Sequence, residues 1–266
     1  MKRIQKTFDE LKEKGEKGLV GFVTAGDPNP EISLQMIQAM CEAGLDVLEL
    51  GVPFSDPTAD GPVIQRSSGR ALKKGVNLKR VLEMTTEIRK GTDIPIILFS
   101  YYNPILTYGN EAFYRDAVKA GADGVLIVDL PPEESDEMTT RWAGNGLDLI
   151  RLFAPTTPAD RMRKIAETAS GFLYLVSKTG VTGSAGLDTG DVGRHTETLR
   201  SVTDLPICVG FGISTAAHVS EVAQAADGVV IGSAFERLIE ENIENPDLIA
   251  MMENRVKEYK AATRIG

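Results

Sequence analysis

Between Ile4 and Lys14 the apolar residues fall at 4, 8 and 11, the spacing of one helix face, and the run stops at Gly15. The period then shortens. Leu19 to Gly26 is a mostly apolar run that enters a turn at Asp27-Pro28, and Ile32 to Ala43 returns to helical spacing before a stop at Gly44. The same exchange of strand and helix continues along the chain. Strands are predicted at 46–51, 94–100, 124–128, 148–153, 171–177, 205–209 and 227–231. A short helix is predicted to end near Leu72, and Asn77 to cap one running to about Lys90. Further helices are predicted over about 111–120, 134–145, 158–170, 193–202, 215–225, 234–241 and 246–259.

Eight strand–helix units with no break in composition predict an α/β fold: a single (β/α)8 TIM barrel over residues 1–266, with an extra N-terminal helix. The segments Ala43-Gly-Leu-Asp-Val-Leu-Glu-Leu, Ala120-Gly-Ala-Asp-Gly-Val-Leu-Ile and Ala225-Ala-Asp-Gly-Val-Val-Ile echo one another on even-numbered units, as barrel symmetry predicts. The interval between strands two and three is far longer than the others. An extended loop of that kind in a compact domain is usually functional.

That loop follows a strand carrying an acid. In Asp46-Val-Leu-Glu-Leu-Gly51 the side chains alternate, so Val47, Glu49 and Gly51 share one face and Leu48 and Leu50 the other. A Glu on an apolar strand is costly to bury unless paired, hydrated or protonated. Beyond it Pro53, Pro57 and Pro62 interrupt regular structure, and Asp60-Gly61 reads as a turn that brings a second carboxylate back over the strand end. One carboxylate on a strand and one on a loop suits general acid/base work. The alternative is an edge Glu in solvent and an Asp used for turn chemistry alone.

Composition narrows the field. The chain is 42% hydrophobic and 25% charged with a net charge of −9, which argues against a broad nucleic-acid or anionic-membrane surface. Cys41 and Cys208 are isolated in apolar contexts, and His195 and His218 stand apart in polar ones, so neither a disulfide framework nor a zinc site is suggested. The N-terminal residues lack the apolar core of a signal peptide, and no apolar run approaches the ~20 residues that span a bilayer. A cytoplasmic protein is the expectation.

In such barrels the active site lies on the loops after the strands. Three glycine-bearing segments follow consecutive strands there: Thr179 to Gly186, Gly210-Phe-Gly-Ile-Ser214 and Gly232-Ser-Ala234. Glycines let backbone N–H groups approach an anion, and following helices add their positive dipole ends, the makings of a phosphate pocket. Turns also need glycine. By parity with Glu49, Phe22, Phe99, Tyr101, Leu126, Leu152 and Tyr174 face the barrel mouth; with Ile64 and Phe211 they can form a slot for a flat aromatic group, or they fill the core. Lys178 sits at a strand end, where a buried lysine can form a Schiff base, but its polar surroundings favour a solvated or anion-facing role.

The run Glu49-Leu-Gly-Val-Pro-Phe-Ser-Asp-Pro-Thr-Ala-Asp-Gly-Pro62, with Phe22-Val-Thr-Ala-Gly-Asp-Pro28, Gly180-Val-Thr-Gly183 and Gly210-Phe-Gly-Ile-Ser214, resembles the tryptophan synthase α subunit family over essentially the whole chain. The resemblance implies cleavage of indole-3-glycerol phosphate to indole and glyceraldehyde 3-phosphate by a retro-aldol step, with neither metal, cofactor nor Schiff base. Glu49 then matches the general acid/base and Asp60 the carboxylate that meets the indole N–H. Gly183, Gly212, Gly232 and Ser233 match phosphate donors, and Thr182 helps close the loop over Asp60. The implied partner is a pyridoxal-phosphate β subunit in an α2β2 complex, facing Asp56-Pro57-Thr58 and Asn103-Pro104. Two residues depart from the family's common pattern: Lys178, where many relatives have Arg, and Thr58, where many have a bulkier aliphatic residue.

Overall fold

Eight strands pair in chain order, all parallel, and the last closes onto the first. They are β1 (Gly18–Thr24), β2 (Val47–Gly51), β3 (Ile96–Ser100), β4 (Gly124–Ile127), β5 (Asp148–Phe153), β6 (Leu173–Val176), β7 (Ile207–Gly210) and β8 (Gly228–Ile231). The computed structural model describes residues 2–135, 146–176, 189–210 and 212–264. The helices, in order, are α1 (Arg3–Glu13), α2 (Pro30–Glu42), α3 (Pro62–Lys73), α4 (Leu78–Gly91), α5 (Tyr102–Tyr108) and α6 (Asn110–Ala120). After a 3-10 turn at Pro132–Glu134 follow α7 (Ala159–Glu167), α8 (Thr189–Arg200), α9 (Ala216–Ala223), α10 (Ser233–Glu241) and α11 (Leu248–Ala262). This is the predicted (β/α)8 barrel.

The alternation on each strand builds two apolar layers. Leu48 and Leu50 point outward into the larger core beneath the helices. Inside the barrel Val20, Val47, Ile97, Leu126, Ile150 and Cys208 form a second cluster. Ile4, Phe8 and Leu11, the three residues spaced along α1, join that inner cluster and close the barrel from below. Lys2 and Arg3 hold the helix there through Asp148 at 2.6 Å and Asp123 at 3.0 Å. The opposite mouth has no such plug among the described residues.

The elements differ from expectation mainly after strands two and three. α3 begins at Pro62, earlier than a short helix ending near Leu72 requires. Proline is well suited to a first helical turn, because its missing N–H would have no partner there. Tyr102 to Tyr108 is a full helix, with Pro104 again inside the first turn, where the spacing predicts none. The cap at Asn77 forms as predicted: its side chain accepts from the Arg80 N–H at 3.0 Å. The helix predicted over 134–145 lies outside the described residues beyond Ser135. No helix among the described residues is long and apolar enough to cross a membrane.

Candidate active site

Glu49 lies on β2 in register with Phe22 of β1 and Ile97 of β3, so the strand's alternation turns its carboxyl into the barrel. The residue is 0% exposed, and neither carboxylate oxygen has a hydrogen-bond partner among the described residues. The solvated-edge alternative therefore fails. With no cation and no donor to offset burial, desolvation alone pushes the pKa up to about 8. At neutral pH the group carries its proton.

Asp60 comes back over the mouth on a loop that successive turns compact, Thr58 N–H to Asp56 O at 2.9 Å and Asp60 N–H to Pro57 O at 3.1 Å. α3 starts immediately afterwards, and Gln65 on it donates its side-chain N–H to Asp60 O at 2.8 Å. Tyr101, at the end of β3, fixes the loop: its hydroxyl accepts from Ala59 N–H at 2.9 Å and hydrogen-bonds the Asp60 carboxyl. Its ring packs on Phe54 with centroids 5.3 Å apart. Burial raises the Asp60 pKa to about 6, with the Tyr101 bond pulling in the other direction. Asp60 is thus largely ionised at pH 7 while Glu49 is not. Tyr101 is a loop anchor as well as a lining residue.

Tyr174 stands near both acids: burial first, and then its neighbours Glu49, Cys208 and Asp60, raise the pKa of its hydroxyl. A Cβ at Gly210 would overlap that hydroxyl, which explains a glycine on β7. Phe22 packs edge-on to Phe99 with centroids 5.1 Å apart, and a Cβ at Gly51 would come within 2.6 Å of its ring. Leu126 is fully buried in the inner cluster, deeper than Phe99, Leu152 and Tyr174, which are only partly buried. Ile64 is half-buried on α3.

Of the glycine segments, Gly232 and Ser233 open α10 with no side-chain cap, leaving its first backbone N–H groups for another acceptor. Phe22 packs 3.5 Å from where a Gly232 Cβ would stand, so this helix end adjoins the aromatic lining. Gly212 is exposed at φ +74, a conformation other residues rarely adopt. Thr182, Gly183 and Phe211 lie outside the described residues, as does Lys178. Among the described residues no group of three or more His, Cys, Asp or Glu side chains could hold a metal ion.

One cluster beside the mouth has no counterpart in the sequence reading. Asp27, at the end of β1, makes a bidentate pair with Arg70 of α3, both bonds 2.7 Å. Arg70 also reaches Glu240 of α10 at 2.9 Å, and Arg66 grips the same carboxylate at 2.6 and 2.7 Å. Glu236, one turn into α10, accepts the Thr24 N–H at 2.5 Å and lies near Asp27, whose charge adds to burial in raising its pKa.

Fold and site together define a (β/α)8-barrel enzyme equipped for acid–base chemistry. Residues 8–264 match the model of a family described as tryptophan synthase alpha chain. A tryptophan synthase alpha chain from Desulfosudis oleivorans is 65% identical over 265 residues, covering 100% of both chains. One from Desulfatibacillum aliphaticivorans is 63% identical over 99% of this chain and 100% of its own. The crystal structure of tryptophan synthase subunit alpha from Legionella pneumophila superposes with a TM-score of 0.91 at 40% identity, covering 99% of this chain and 98% of that one. The chain belongs to the tryptophan synthase alpha chain family. It is accordingly a lyase of tryptophan biosynthesis that cleaves indole-3-glycerol phosphate.

Proposed function

We propose that Glu49 and Asp60 divide the cleavage between them, with residues 1–266 acting as one catalytic domain. Carbon 3 of indole is a poor carbanion leaving group, so the bond electrons need a sink. Neutral Glu49 donates its proton to that carbon, and positive charge moves to the ring nitrogen. Ionised Asp60 accepts a hydrogen bond from the ring N–H and stabilises the developing cation. Glu49, now a carboxylate, takes the proton of the neighbouring side-chain hydroxyl. The carbon–carbon bond breaks, its electrons restore the aromatic indole, and the hydroxyl carbon becomes the aldehyde of glyceraldehyde 3-phosphate. Glu49 ends protonated, as it began.

The observation that carries this reading is the opposite protonation of two acids at one mouth: Glu49 with a pKa of about 8 and no partner, Asp60 at about 6. Phe22, Ile64, Tyr101, Leu126, Tyr174 and Phe211 would enclose the indole. Thr182, Gly183, Gly212, Gly232 and Ser233 would receive the phosphate, a role supported by the uncapped start of α10.

The chain works with the pyridoxal-phosphate β subunit of tryptophan synthase, in keeping with its likeness to Mycobacterium tuberculosis tryptophan synthase (TM-score 0.91, 32% identity, covering 100% of this chain and 99% of that one). We place the α2β2 contact on Asp56-Pro57-Thr58 and Asn103-Pro104. Leu106 on α5, 55% exposed, supplies an apolar anchor beside the second segment. The enzyme would act in the cytoplasm. A coupled assay of indole-3-glycerol phosphate cleavage, with and without a β subunit, tests the assignment. Indole release should need Glu49 and rise with the partner, and undiminished turnover by a folded Glu49→Ala protein would remove the mechanism.

A further inference from the structure

The cluster behind the mouth contains five ionisable groups from three elements. Asp27 follows β1, Arg66 and Arg70 lie on α3, and Glu236 and Glu240 lie on α10. Two arginines pair with Asp27 and Glu240, which leaves a neutral set before Glu236 is counted. An ionised Glu236 would be a surplus buried anion pressed against a carboxylate already satisfied by Arg70. Glu236 is 0% exposed, and among the described residues its only donor is the Thr24 N–H; Oε2 has none. A fully buried carboxyl with one donor for its two oxygens and an anion nearby keeps its proton. Arg70 secures Asp27 as the anion, so the proton belongs to Glu236.

The location gives that proton a use. Glu236 sits in the first turn of α10, and its N–H closes back on Gly232 O at 3.1 Å. A negative charge there would oppose the approach of a phosphate to Gly232 and Ser233; a neutral carboxyl leaves the helix end attractive to anions. The same side chain ties α10 to the end of β1, while Asp27 and Arg70 tie that strand end to α3, the helix that follows Asp60. Thr24 and Ser67 add a hydroxyl pair at 2.7 Å between the strand and α3.

We propose that Glu236 is a positioning residue for the phosphate end of the substrate: it keeps its proton, accepts the Thr24 N–H, and fastens the start of α10 without placing an anion beneath the phosphate. The inference rests on the reading of Gly232 and Ser233 as phosphate donors. Glu236→Gln retains a neutral donor and an acceptor in the same shape, whereas Glu236→Ala removes both. In the full chain the Gln variant should keep its KM for indole-3-glycerol phosphate within about twofold, while the Ala variant should raise KM roughly tenfold with kcat changed less than about threefold. The infrared difference between parent and Gln variant should contain a protonated-carboxyl band. A Gln variant as impaired as the Ala variant, or a difference showing only carboxylate bands, overturns the inference; if the Ala variant does not fold, the Gln variant and the spectrum decide. Inorganic phosphate titrated against the parent should shift the Gly232 and Ser233 amide resonances. Silence at those amides overturns the phosphate reading and the positioning role with it, while a carboxylate spectrum overturns the account of Glu236 alone.

Discussion

At the N-terminal rim of the barrel Asp46, Asp123, Asp148 and Asp227 each meet a cation: Lys260 at 2.9 Å, Arg89 at 2.6 Å, Lys2 at 2.6 Å and Arg200 at 2.9 Å. Three of these aspartates also accept the N–H of a residue on or beside a neighbouring strand, from Leu19 at 2.7 Å, Ile96 at 2.9 Å and Ile207 at 3.0 Å. At the opposite mouth Glu49 has no partner among the described residues, and Asp60 has the Tyr101 hydroxyl. The same chemical group is thus a fastener at one end and a proton carrier at the other. Position on a strand does not decide which; the presence of a cation does. Even with Lys260 beside it, burial raises the Asp46 pKa, so an acid with no cation at all rises further.

Neutralising Glu49 should break this contrast most sharply. Glu49→Gln is expected to lower indole release by about 10²–10⁴-fold, the usual value of an acid/base group, while thermal melting at pH 7 stays the same or improves. The stability itself should carry a signature. Between the ordinary carboxyl value of 4.5 and about 8, native Glu49 holds a proton that the unfolded chain has released, so stability falls as pH rises through that window. Glu49→Gln should flatten that fall in pH-dependent denaturant unfolding.

Asp60→Asn comes next, with a loss of about 100-fold expected from removing charge at the ring nitrogen. The parent's kcat/KM should rise with pH as Asp60 ionises near 6 and decline as Glu49 ionises near 8. The Asn variant should lose the acidic limb and keep the basic one. A profile with both limbs intact would dissociate Asp60 from the rate.

The other end should answer in stability. Asp123→Asn leaves Arg89 and Arg3 without their anion and is expected to cost about 2 kcal/mol in urea unfolding, less than for a fully buried pair because Arg3 is half exposed. Its kcat should be unchanged. The smallest effect is expected of Tyr101→Phe, a roughly tenfold loss in kcat/KM as the Asp60 loop loosens. Because the Tyr101 bond lowers the Asp60 pKa, its removal should also move the acidic limb upward.

Much of this was legible in the chain because it depends on local period. Alternation along Val47 to Gly51 put Glu49 on the inner face, and helical spacing at Ile4, Phe8 and Leu11 announced α1. Pro62 misled: as an interrupter of regular structure it pointed to a loop, yet within a first helical turn it is compatible with α3, as Pro104 is with α5. The Asp27–Arg70–Glu240 cluster was invisible for a different reason. Its members are far apart in sequence, and Glu236 in Ser-Ala-Phe-Glu-Arg-Leu reads as one more surface acid on an amphipathic helix. Only closure of β8 onto β1 brings it to Thr24.

Ile4, Phe8 and Leu11 of α1 fill the lower end of the barrel among the described residues, so traffic belongs to the opposite rim. A protein seated on that rim would stand where the aromatic fragment emerges, placed to receive it before water does.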